Sequence, residues 1–235
     1  MSKFVLVPGA WLGAWVWRKI IPPLVSEGNE VYPITLTGMG ERVHLISKEI
    51  GMETAIQDVL NVIKYNDLED IILVGHSFAG KVVAPVADRI PKRIKSILYL
   101  DAVIPEKIRT PQASFNASDE FGALTGGSLG IPFNEDILNH IGPDVHGMDR
   151  SWILSKATPW PLKHSTDPIV ISKNFDAIKC TYIFCTMSGG DPVNEIIEGK
   201  WGELYGPYKV MDTGHWPMVT KPDELVENMI ALAET

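Results

Sequence analysis

The sequence predicts an α/β domain: a mostly parallel sheet flanked by helices, with an inserted lid after the strand that ends near Leu100. Three observations predict it. Apolar, β-branched runs alternate with helical periodicities up to that strand. Those runs are continuous rather than alternating, as in strands buried on both faces. The rhythm then breaks over residues 105–173 and resumes to the C-terminus.

Lys3 to Val7 is the first strand run, ended by P-G-A-W-L-G-A. Trp17, Ile20, Ile21, Leu24 and Val25 carry a helical spacing within Trp15 to Glu27, where Pro22 and Pro23 predict a kink or early stop. Glu30 to Ile34 reads as a second strand, and Thr35 to Glu49 as a Gly-punctuated loop. Ala55, Ile56, Val59, Leu60 and Ile63 mark an amphipathic helix. Asp70 to Gly75 is a third strand, Phe78 to Ile90 a helix and Ile94 to Leu100 a fourth strand. Residues 105–173 are rich in Gly, Ser and Pro mixed with aromatics, which suits a lid rather than an independent domain. The core is then 1–104 with 174–235. In its second part, strands are expected at Cys180 to Thr186 and Tyr208 to Met211, with helices around Asn194 to Leu204 and over Pro222 to Ala233. Cys180 and Cys185 are five apart on one strand, so they point to opposite faces, cannot bridge and read as packing residues.

The bulk chemistry excludes several classes. The chain has 235 residues, 45% hydrophobic and 21% charged, as in a folded globular protein. Its formal net charge of −8 argues against a nucleic-acid partner, because phosphate recognition needs clustered Lys and Arg. The apolar runs fall well short of the ~20 residues that span a bilayer, so no membrane partner is expected. M-S-K-F-V-L-V passes directly into a strand without a signal-peptide pattern, and the expected location is cytoplasmic.

Function is concentrated in I-L-V-G-H-S-F-A-G-K, residues 72–81. Ser77 stands where the third strand hands over to a helix, at the carboxyl ends of the strands, where open parallel sheets bind ligands. A nucleophile there needs a strained, sharp turn, and side chains two before and two after it must be small. Those positions hold Gly75 and Ala79, with Gly80 adding clearance. The alternative is a serine capping an ordinary helix. The N–H of Phe78 would point at a developing oxyanion. A second donor is expected from the loop after the first strand, where the N–H of Ala10 is preferred over that of Trp11. His215, in M-D-T-G-H-W-P-M after the last strand, is the expected general base. Asp191, in S-G-G-D-P-V, is the favoured orienting acid, and Asp101, ending L-Y-L-D, is its competitor. His76 is expected to point away from the Ser77 hydroxyl.

The chain resembles the α/β-hydrolase superfamily. More narrowly, it is similar to the branch of hydroxynitrile lyases, plant methylesterases, and bacterial salicylate-esterase and pyrethroid-hydrolase-like proteins. The carrying stretches are G-A-W-L-G-A-W-V-W-R-K, L-T-G-M-G-E-R-V-H-L, G-H-S-F-A-G, Y-L-D-A-V-I-P-E, T-P-W-P-L and K-P-D-E-L, spread over nearly the full length. The resemblance implies the α/β-hydrolase fold, no metal, no organic cofactor, and often a homodimer. The usual His-Gly pair after the first strand is Pro8-Gly9 here. The lyases of this branch carry a Thr in the oxyanion loop and a Lys directly after the catalytic His. The matching residues here, Gly9 and Trp216, cannot bind a cyanohydrin hydroxyl or hold a departing cyanide.

The expectation is therefore a serine carboxylesterase acting through an acyl-enzyme on Ser77. Phe115, Phe121, Phe133, Trp152 and Trp160 in the lid suit a small, uncharged aryl or alkyl ester. Trp11, Trp152, Trp160 and Trp216 are the candidate pocket residues, although packing the lid is an equally ordinary use for such rings. The rival readings are lyase-type C–C cleavage, a non-catalytic ligand-binding protein, and cofactor-free dioxygenase or haloperoxidase-like chemistry. Fold alone does not separate them.

Overall fold

The computed structural model describes residues 1–104, 128–188 and 206–234. Its main sheet has six parallel strands in the order β2-β1-β3-β4-β7-β8. They are β1 (Lys3–Val7), β2 (Glu30–Pro33), β3 (Ile71–His76), β4 (Ile94–Leu100), β7 (Cys180–Cys185) and β8 (Tyr208–Met211). Between β4 and β7, a two-residue antiparallel pair joins β5 (Gly130–Ile131) to β6 (Trp160–Pro161).

The order follows from burial. Successive residues of a strand face opposite sides, so a strand apolar throughout needs cover on both. Val5 and Val7 of β1 join Leu73 of β3 and Tyr99 of β4 in one core cluster. Their neighbours Phe4, Leu6, Val74 and Leu98 join the other. The first cluster is closed by α2 (Met52–Tyr65) and α3 (Gly80–Arg89). Met52, Ala55, Ile56, Val59 and Ile63 form the buried stripe of α2, and burial of side chains this size contributes about 1.5–3 kcal/mol for each larger one. The second is closed by the Ala14–Lys19 turn, α1 (Ile21–Ser26), α7 (Pro217–Thr220) and α8 (Pro222–Glu234).

Several boundaries differ from the sequence reading for local reasons. Trp15 to Glu27 is not one helix. A 3-10 turn over Ala14–Lys19 precedes α1, whose first turn takes Pro22 and Pro23, where a missing N–H costs little. The loop after β2 contains a 3-10 turn at Gly40–Leu45. The insert, where the helical rhythm was expected to fail, holds α4 (Glu135–Ile141), α5 (Gly147–Lys156) and α6 (Leu162–Thr166). The helix expected around Asn194 to Leu204 lies outside the described residues. Cys185 is buried and Cys180 half-buried, and the two are not joined in a disulfide. Among the described residues no helix is long and apolar enough to cross a membrane.

Candidate active site

The carboxyl ends of β1, β3 and β4 lie side by side, with Val7 opposite Gly75 and His76 opposite Leu100. The chain leaves each end through a strained residue. Trp11 after β1, Ser77 after β3 and Asp101 after β4 have φ of 65°, 58° and 43°. Such left-handed conformations cost a non-glycine residue roughly 1–3 kcal/mol and persist only where surrounding structure imposes them.

The steric demand of the Ser77 turn is visible in its neighbours. A Cβ on Gly75 would sit 2.7 Å from the Val83 side chain, and Ala79 is fully buried. The tightest position is Gly80, where a Cβ would run into the Val103 carbonyl oxygen. That strand-end segment is itself tied to the elbow, since Val103 N–H donates to the Ser77 carbonyl at 3.0 Å. Ser77–Ala79 forms a 3-10 turn that leads into α3, which puts the Phe78 amide in the first turn after the serine.

His215 completes a hydrogen-bonded line. Its Nε2 lies 2.8 Å from Ser77 Oγ, and its Nδ1 lies 2.6 Å from Asp101 Oδ2. The carboxylate accepts only, so Nδ1 carries the proton and Nε2 is left to accept from the serine hydroxyl. Asp101 is oriented through its other oxygen, which accepts from Cys185 N–H at 3.1 Å and lies 3.2 Å from the Ser188 hydroxyl. His215 is also fixed through its backbone. Its N–H donates to Ile141 O at 2.8 Å, and its carbonyl oxygen lies 2.7 Å from His76 Nε2.

The carboxylate that meets His215 is thus Asp101, the competitor in the sequence reading. Asp191 lies outside the described residues, as do Phe115 and Phe121. Asp101 is favoured by its place: β4 is the direct neighbour of the Ser77 strand, and its positive φ turns the carboxylate toward the base. An Asp directly ending an apolar strand beside the nucleophile's strand was the signal available.

On the other side of Ser77 the surroundings are aromatic. Phe78 packs against Trp160 at 5.0 Å between ring centroids, and Trp160 meets Trp11 edge-on at 5.7 Å. Trp11 in turn meets Phe133 at 5.5 Å and donates its indole N–H to Ile131 O at 3.0 Å. Thr158 N–H donates to the Trp11 carbonyl, so the loop after β1 is stitched to the insert. Gly9 in that loop runs against the elbow: a Cβ there would stand 2.8 Å from the Ser77 Cβ. Ala10 follows and is buried.

Two of the four candidate pocket tryptophans are placed elsewhere. Trp152 packs edge-on against Trp15, with the Arg18 guanidinium 3.9 Å from its ring centroid. Trp216 is buried in the second core cluster rather than at a pocket mouth, reaching the aromatic side of the site through an edge-on contact with Phe133 at 6.1 Å, and a Cβ on Gly142 would come within 2.5 Å of its ring. Trp216 caps α7 with non-helical backbone, and there it turns into the core while its neighbour His215 meets the serine. The sequence reading also missed His164. It is fully buried and stacked on Phe78 at 5.9 Å, and neither ring nitrogen has a hydrogen-bond partner among the described residues. Burial pushes it down to about 4.

Residues 4–228 match the alpha/beta hydrolase family. The chain belongs to that family and is a hydrolase. It is 33% identical to the carbendazim hydrolyzing esterase of Nocardioides sp. (strain SG-4G), over 99% of this chain and 100% of that one. It is 24% identical to methylesterase 9 of Arabidopsis thaliana, over 100% and 99%. Similarity to the alpha-hydroxynitrile lyase of Arabidopsis thaliana, at 32% identity, covers 53% of this chain and 47% of that one. Among solved structures, an extracellular alpha/beta-hydrolase from a Paenibacillus species shares the fold, with a TM-score of 0.80, 23% identity and 98% coverage of both chains.

Proposed function

We propose that the chain is a serine carboxylesterase that hydrolyses small, uncharged esters through an acyl-enzyme on Ser77. The observation that carries this reading is the line Ser77 Oγ–His215–Asp101, at 2.8 and 2.6 Å, at the carboxyl ends of the sheet. Two relatives matched over their full lengths carry esterase names, which supports a carboxylesterase-type activity.

His215 takes the Ser77 proton as Oγ attacks the ester carbonyl. Asp101, in place of Asp191, holds the imidazole in its Nδ1–H tautomer and stabilises the imidazolium. The amides of Ala10 and Phe78 face the oxyanion. His215 then protonates the leaving alcohol, and water releases the acid in a second round. The rings of Trp11, Phe78, Phe133 and Trp160 supply an apolar, uncharged wall for an aryl or alkyl group. Residues 105–173 serve as a cap on a core of 1–104 and 174–235. Lyase chemistry is disfavoured because Gly9 has no hydroxyl and Trp216 is buried in the core.

The test is hydrolysis of p-nitrophenyl esters from acetate to octanoate, of methyl esters of aromatic acids and of carbendazim, by wild type and Ser77→Ala. Turnover in the wild type that disappears in the variant is expected. Equal turnover in both would remove Ser77 as nucleophile, and cyanide release from a cyanohydrin would favour the lyase.

A further inference from the structure

His76 stands beside the nucleophile, is fully buried, and has no part in the reaction line. Its two ring nitrogens nevertheless join two separate parts of the site. Nδ1 lies 3.2 Å from the Gly9 amide, and Nε2 lies 2.7 Å from the His215 carbonyl oxygen. An amide only donates and a carbonyl only accepts, so one tautomer satisfies both: Nδ1 bare, Nε2 protonated. The ring packs edge-on against Trp17 and lies 4.7 Å from the His215 ring, centroid to centroid.

We infer that His76 is a positioning residue that clamps the oxyanion loop and the general base to one another through a single neutral imidazole. The inference rests on the esterase reading above. Gly9 immediately precedes Ala10, the proposed oxyanion donor, so fixing the Gly9 amide fixes the peptide that leads into that donor. Pro8 contributes no N–H. Gly9 must also stay close: a Cβ there would sit 2.6 Å from His76 Nδ1. At the other end, the bond to the His215 carbonyl complements the Ile141 bond to the His215 amide, so the base is held at both backbone groups. The clamp ring also has to remain uncharged. His215 becomes cationic during catalysis, and a second imidazolium packed against it would oppose that step. Burial and the neighbouring His215 both hold His76 well below the ordinary histidine range. A proton on Nδ1 would also set two N–H groups against each other at Gly9.

The experiment compares wild type, His76→Leu and His76→Gln on p-nitrophenyl acetate, with thermal melts of each. Leucine removes both bonds, whereas glutamine can still offer an acceptor and a donor. An oxyanion donor matters in the transition state more than in the ground state. His76→Leu should therefore lose kcat by about 10- to 100-fold, below the ~10²–10³ of deleting a donor outright, with KM within about threefold. His76→Gln should recover most of that loss. Unchanged kcat in a folded His76→Leu, or a loss that appears only in KM, overturns the clamp. If His76→Leu does not fold, imidazole ¹⁵N spectra of the wild type decide. An Nε2–H tautomer that persists as pH falls through about 6.5 supports the clamp, and an Nδ1–H tautomer overturns it. The esterase reading fails separately: a wild type that neither hydrolyses esters nor labels Ser77 with a fluorophosphonate defeats that reading, while the tautomer still tests the clamp.

Discussion

Two buried histidines flank the Ser77 turn and are treated in opposite ways. His76, on the side of the base, has a partner for each ring nitrogen. His164, on the aromatic side behind Phe78, has none among the described residues. The contrast extends to the regions around them. On the first side, Ser77, His215, Asp101, Gly9 and His76 are fixed by directed hydrogen bonds and strained backbone. On the second, Phe78, Phe133 and Trp160 are fixed mainly by ring packing, with Trp11 at their centre held by its bonds to Ile131 and Thr158 as well. Hydrogen bonds set angles and proton positions, which reacting groups need. Ring packing sets shape, which a substrate wall needs and can vary at modest cost.

The sharpest way to break this comparison is at the acid. Asp101→Asn keeps the shape but cannot hold the His215 tautomer, so kcat should fall by about 10²–10⁴ with the fold intact. Asp191→Asn should leave kcat within about twofold, as expected of a side chain outside the reaction line. The reverse result in ester assays would restore Asp191 as the acid.

A smaller effect is expected in acid stability. His164 ordinarily titrates near 6.5 and is held down to about 4 in the folded protein. Below 6.5 the unfolded chain therefore binds a proton that the folded chain refuses. Stability should be full above about 6.5 and decline as pH falls toward 4, by at most about 3 kcal/mol for this group. Urea melts between pH 7 and 4 should show the loss, and His164→Leu should flatten it. His76 is depressed in the same direction and keeps part of the slope in that variant. An unchanged slope in His164→Leu would show that His164 does not carry the effect.

The smallest effect should come from the wall. Trp160→Ala should raise KM for aryl esters by about 5- to 20-fold, in line with 1–2 kcal/mol of lost ring contact, and change kcat much less. Trp152→Ala, against Trp15 and Arg18, should leave KM unchanged and lower Tm by a few degrees. A KM effect at Trp152 that matched Trp160 would erase the distinction between wall and packing.

By itself the sequence determined the layered architecture and the serine turn. The strands are continuous apolar runs and the turn demands small neighbours, and both are properties of short, local stretches such as 71–80. It also determined His215 as the candidate base, because a histidine after the last strand has few other places to go. The partner of His215 was decided by tertiary structure. Asp101 and Asp191 both follow strands in the sequence, and only strand order and a positive φ bring Asp101 to 2.6 Å. The tryptophans were decided in the same way, since a side chain's chemistry does not say which face of a turn it will occupy. The double role of His76 depends on two loops 67 and 139 residues away in the chain, a pairing that exists only once β1, β3 and the His215 loop lie side by side.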